Sequence, residues 1–216
     1  MSDSKLEAVD MMIKELGGKV ESVWEGLRPV TKNMLEGALQ AGKSNILNPK
    51  TPKFFYDAHA DFEVSRLLSA LDERSKSKEI RKDAVKLGEI NQLADICVLV
   101  LESQSASAEV FIQLAERAIK DNDYNRLDKL GDHLAERYSA GEIAEIVRQT
   151  DMPQIRAIAY ETLAMMSISA LVPLLDDPLY AGIAAGALEQ KAFEFDSEEA
   201  RDILEQFDSE NGQGGN

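Results

Sequence analysis

The 216-residue chain contains one cysteine, two histidines and six prolines, and each scarcity excludes something. A single Cys cannot form an internal disulfide or supply a zinc centre built from several thiolates. Lys and Arg number 24 against 39 Asp and Glu, for a net charge of −15. Sequence-independent nucleic-acid binding depends on cations neutralising phosphates, so this balance argues against DNA or RNA as a partner. The start, Met1 to Asp10, lacks a basic segment leading into an apolar one, and a cytoplasmic location is expected. Proline is absent between Pro52 and Pro153, and Gly88 is the only glycine between Gly42 and Gly131. Turns draw repeatedly on such residues, so breaker-free stretches of that length favour helices.

What is present agrees. Phe62, Leu67, Leu68 and Leu71 follow helical spacing, as do Ile90, Leu93, Cys97 and Leu101, and Leu127, Leu130, Leu134 and Tyr138. Residues 96–101 form a continuous β-rich apolar run, but no turn residues flank it, and it reads as a buried helical turn. The predicted class is all-α. Leu6, Val9, Ile13, Leu16, Val20, Val23, Leu27, Val30 and Met34 alternate spacings of three and four, the pattern of a coiled-coil seam. Gly17-Gly18 and Pro29 interrupt it, which favours two or three short helices packed on the rest of the chain. The same stripe offers a homodimer seam.

The acidity is uneven. Residues 1–105 hold 15 basic and 17 acidic side chains, whereas residues 106–216 hold 9 and 22. We therefore expect an N-terminal helical region over 1–103, an acidic repeat-like region over 104–208 and a disordered tail over 209–216. Asp121, Asp151, Asp176 and Asp208 each follow an apolar run, at spacings of 30, 25 and 32. Ser139, Ser167 or Ser169, and Ser197 are placed to cap the helices that follow. This is the pattern of stacked helix–turn–helix units. The segments Asp151–Leu163 and Asp176–Leu188 resemble the turn and second helix of HEAT-like repeats, with Arg156 fitting that pattern and Ala181 departing from it. The resemblance implies a short αα-hairpin stack that serves as a protein-binding scaffold. Residues 162–188 carry only Asp176 and Asp177 as charges, yet neither flank reaches the ~20 apolar residues of a membrane span. No membrane partner is expected. Ala181, Gly182, Ala185 and Gly186 put small residues on a face that a neighbouring helix can approach.

Two constellations carry potential chemistry. Gly37 to Ser44 spells the phosphate-binding GxxxxGK[ST] loop. The residues before it read as helix rather than strand, and Asn48-Pro49 would stop the helix that must follow. Gly42 as a helix C-terminal residue explains the same letters. Asp57, His59, Asp61 and Glu63, on a helix starting at Thr51-Pro52, form the one local set resembling metal ligands, with His133 needed to complete it. A solvated helix face explains them as well. Cys97 lies in an apolar run and reads as an inert core thiol. Phe54-Phe55-Tyr56 reads as the start of a packed helix. Arg74, Lys76, Lys78, Arg81, Lys82 and Lys86 make one basic cluster, interleaved with acids. No cofactor is expected.

These features favour a non-catalytic adaptor or scaffold that offers an acidic helical surface to a basic protein partner. Asp151, Glu161, Asp176 and Asp177 are the expected contact residues. The alternatives are a metal-dependent helical enzyme using the His59 cluster, and a secretion-type chaperone, suggested by small size, acidity and helical content.

Overall fold

The computed structural model describes the backbone of residues 3–43 and 56–212, and the side chains of residues 9–40 and 56–209. Every regular element among them is an α-helix, as the sequence predicts. The chain divides into two compact units, Met1–Ser105 and Ala106–Asn216.

The N-terminal unit holds α1 (Asp3–Leu16), α2 (Gly18–Glu25), α3 (Pro29–Lys43), α4 (Ala58–Ser75), α5 (Lys78–Lys82) and α6 (Ala84–Gln104). The predicted interruptions fall where the stripe is broken. Gly17 has φ +118°, Gly26 closes α2, and Pro29 opens α3, where its missing N–H costs nothing. α6 packs against α1, α3, α4 and α5, which explains its strand-like letters. Ile96, Cys97, Val98, Val100 and Leu101 are all buried because helices cover α6 on several sides. α4 departs from the expected stripe in one place. Its buried face is Ala60, Glu63, Val64, Leu67, Leu68 and Leu71, and Phe62 points outward, 62% exposed. α4 also starts at Ala58 after an extended Asp57, later than Thr51-Pro52. Thr51 to Phe55 lie outside the described residues, as do Ser44 and Asn48-Pro49.

Gly17 makes a direct prediction. Its φ lies in the region that disfavours side chains, and an added Cβ would stand 3.0 Å from Arg74 Nε. That same Nε donates to the Leu16 carbonyl at 2.6 Å and satisfies the end of α1. Gly17→Ala is expected to lower stability by about 1–3 kcal/mol. Gly18→Ala, with nothing within 4 Å of the new Cβ, should be neutral or slightly stabilising. Thermal melting of the two variants checks the contrast, and equal melting points would refute it.

The C-terminal unit holds α7 (Ala108–Asp121), α8 (Tyr124–Arg137), α9 (Ala140–Gln149), α10 (Pro153–Met165), α11 (Ile168–Leu175), α12 (Ala181–Glu194) and α13 (Glu198–Gly212). Helix ends are closed by residues suited to the task. Asn122 adopts φ 57° to end α7, Asp123 caps α8, and Ser139 caps α9. Ser197 Oγ accepts from the Ala200 N–H at the start of α13. Glu142 on α9 reaches the Ala108 N–H at 2.9 Å and caps α7 from outside. α7 packs on α8, α9 on α10, and α11 on α12. α7 also touches α9, α9 touches α11 and α11 touches α13, while α10 touches both α8 and α12.

Three local expectations are corrected. Residues 209–212, expected as part of a tail, belong to α13, which continues through Gly212; extending a formed helix costs far less than starting one. Asp208 therefore lies inside a helix and not in a turn. On α12 the buried small residues are Ala184, Ala187 and Ala192, and Gly186 lies beside Tyr160, but Gly182 faces open space. Among the described residues no single helix is long and apolar enough to cross a membrane. α10 and α11 pass that test only together, across a bend of 113°.

Candidate functional site

The His59 set does not assemble as ligands. Asp57 caps α4 through the Ala60 N–H at 2.9 Å and takes both terminal nitrogens of Arg28 at 2.9 and 2.7 Å. The Arg28 guanidinium, then the Ala60 N–H, hold the Asp57 carboxyl well below its ordinary range. Glu63 turns inward and accepts from the Arg28 N–H at 2.8 Å, Arg28 Nε at 3.0 Å and Thr31 Oγ1. Burial opposes its ionisation, but these donors outweigh it and the carboxyl sits below its usual value. Asp61 accepts from the Tyr56 hydroxyl, and His59 is exposed. His133 is half-buried on α8, with Nδ1 enclosed and unpartnered. Among the described residues no group of three His, Cys, Asp or Glu is arranged to hold a metal. Arg28 takes up the carboxylates that a cation would need.

The phosphate-loop letters fare similarly. Gly37 to Lys43 lie within α3, so their N–H groups serve the helix ladder and cannot cradle a phosphate. The helix runs one residue past Gly42, which is therefore not its C-terminal cap.

The acidic candidates lie at helix ends and turns of the C-terminal unit and on α10. Short connections join α7 to α8, α9 to α10 and α11 to α12. Asp121 is the last residue of α7, Asp151 and Asp176 lie just after α9 and α11, and all three are exposed. Asp177 is less available, because its carboxylate accepts from the Leu179 N–H at 2.9 Å and shapes its own turn. Glu161 lies on the last turns of α10, where it is exposed.

Between the layers, Glu145 on α9 accepts from Arg148 Nε at 2.6 Å, from Gln149, and from the Tyr180 hydroxyl at 2.9 Å. Arg148, opposed by burial and helped by the two neutral donors, keeps the Glu145 carboxyl below its ordinary value. This cluster ties α9 to the turn before α12. It also removes Arg148 from the cations that could offset the exposed acids.

The sequence reading missed the exposed apolar residues at the ends of α10 and α12. Met165, at the end of α10, and Phe193 and Phe195, at the end of α12, are 64%, 89% and 55% exposed. Their clue in the sequence is spacing: Glu161 precedes Met165 by one helical turn, and Glu189 precedes Phe193 by the same interval. No protein-family model, curated protein or solved structure matches the chain.

Proposed function

We propose that the chain is a non-catalytic protein–protein interaction module. Its C-terminal unit acts as a short αα-repeat stack, similar in kind to HEAT-like repeats, and presents an acidic surface to a basic protein partner. The pairwise packing of α7 with α9, α9 with α11, and α10 with α8 and α12 supports the stack. The observation that carries the functional reading is the exposure of Asp121, Asp151 and Asp176, each at or just after the end of α7, α9 and α11. Three of the unit's cations are engaged by other groups: Arg148 by Glu145, Lys191 by the Ala164 carbonyl, and Arg201 by Asp196 and the Ala192 carbonyl. Exposed charge of one sign speeds encounter with an oppositely charged partner and sets its orientation.

A fluorescent Lys-rich peptide tests this reading. Binding should weaken at least about tenfold when salt rises from low to a few tenths molar, because exposed charges are screened over a Debye length. The Asp121→Lys, Asp151→Lys, Asp176→Lys triple variant should lose most of the remaining affinity. A control that reverses exposed Asp128 and Asp132 on α8 should lose much less. Binding that survives salt and the triple reversal, or responds equally to the control, rejects the proposal.

A further inference from the structure

The ends of α10 and α12 pair acid with exposed apolar surface on two neighbouring helices. α10 and α12 pack side by side, and each ends in the same arrangement. On α10, Glu161 and Met165 share a face one turn apart; on α12, Glu189 and Phe193 do the same. All four are exposed. Lys191 joins the two helix ends. Its Nζ donates to the Ala164 carbonyl at 2.9 Å and stands 5.7 Å from the centre of the Phe195 ring. Lys191 thus links the backbone beside Met165 to the Phe195 ring.

A phenylalanine left 89% exposed forgoes burial of a large apolar surface. Single exposed apolar residues are common on protein surfaces. Three at one edge, on adjoining helix ends, make a patch. Its surroundings select what can cover it. Exposed Glu194, Glu198 and Glu199 continue the acidic rim past Phe195, while Asp196 is paired with Arg201. An anionic lipid surface would be repelled. A segment with Lys or Arg one helical turn from an apolar side chain matches both features.

We infer that the edge formed by Met165, Phe193 and Phe195, flanked by Glu161 and Glu189, docks a basic amphipathic helix of a protein partner. The apolar stripe of that helix covers the Phe and Met side chains, and its Lys or Arg residues meet Glu161 and Glu189. Met165 suits such a site because its unbranched side chain adapts to different apolar partners. The inference rests on the reading of the C-terminal unit as an acidic surface for a basic protein, and it assigns that partner an apolar face and a place to bind.

The probe is a labelled helical peptide of Leu and Lys in amphipathic register, followed by fluorescence anisotropy with the full chain. Two control peptides replace Lys with Glu, or Leu with Ser. The full chain should bind the Leu/Lys peptide at least tenfold tighter than either control. Phe193→Ala with Phe195→Ala should weaken it at least tenfold, to the level of the Leu-to-Ser control. Glu161→Lys with Glu189→Lys should weaken it similarly and flatten its salt dependence. These positions are exposed, so both variants should melt with the parent, and the melt is measured alongside. Salt-sensitive binding that is unchanged in the Phe variant overturns this site while leaving the acidic-surface reading intact. Absence of binding to the Leu/Lys peptide, or equal binding of the Glu peptide, overturns both. A concentration-dependent mass increase that the Phe variant abolishes would make a second copy of the chain the occupant, and would also overturn the inference.

Discussion

Glu63→Ala is expected to lower the stability of the N-terminal unit by about 3 kcal/mol, among the largest effects of any single substitution outside its apolar core. The carboxylate is buried on α4 and accepts three hydrogen bonds from the start of α3: the Arg28 N–H, Arg28 Nε and Thr31 Oγ1. Removing it strands a buried hydroxyl and a backbone donor, and turns half of the guanidinium away from its partner. Lost donors of this kind each cost about 1–3 kcal/mol, partly offset where water can reach the Arg28 side. For a unit of this size the melting point should fall on the order of 10–20 °C. Glu63→Gln keeps the shape and one acceptor oxygen, and should lose roughly half as much. Calorimetry of the three proteins checks the order, and a Glu63→Ala melting point within about 2 °C of the parent would refute it.

The same cluster sets the acid limit. Glu63 and Asp57 have ordinary values of 4.5 and 3.8, and both are depressed in the folded chain. The unfolded chain therefore takes up protons first. The contribution of each group is complete above its unfolded value and drains away as pH falls toward the folded one. Glu36 has the opposite sign. Burial, then the charge of Asp10, pushes its carboxyl up from 4.5 against the pull of Lys32. Its contribution declines as pH rises through 4.5 toward the folded value. Stability should therefore drop steeply below about pH 4, and the drop should be shallower in Glu63→Ala. Glu36→Gln should instead flatten the decline on the higher-pH side.

Periodicity made the helices legible, because an α-helix writes its buried face locally, at intervals of three and four. The capping serines Ser139 and Ser197 and the connecting residues Asp151 and Asp176 were legible for the same reason. Each acts within a few residues of its own position. What failed was long-range. Asp57 and Glu63 look like metal ligands until Arg28, some thirty residues earlier, is seen to lie across them. No local pattern announces that pairing. Its consequence for α4 is that a carboxylate takes a core position, and Phe62, on another side of the helix, is left outside. The exposed edge of Met165, Phe193 and Phe195 was hidden in a different way. Apolar letters near the end of a helix look the same whether a neighbouring helix covers them or stops short. Only the packing of α10 beside α12 shows that these ends are left open.

Trp24→Ala is the second large effect, an expected loss of about 4 kcal/mol, and it decides what the N-terminal heptad stripe is for. The indole is 2% exposed, its Nε1 donates to Asp10 at 2.7 Å, and Lys32 Nζ stands 5.8 Å from the ring. Along the stripe Ile13, Leu16, Val20, Val23, Leu27 and Met34 are buried within the unit, and Val30 stands out as exposed. A coiled-coil seam would need those side chains facing a second chain, which requires the packing of α1 and α2 on α4 and α6 to open first. The two uses differ in concentration dependence. Stability that comes from association rises with protein concentration, whereas stability that comes from an intrachain core does not. The melting points of the parent and of Trp24→Ala should therefore differ by the same amount in dilute and in concentrated solution. Trp24→Phe should lose about 1–2 kcal/mol, since it keeps most of the packing and forfeits the donor to Asp10. A parent melting point that climbs with concentration, and stops climbing in Trp24→Ala, would return the stripe to a dimer seam.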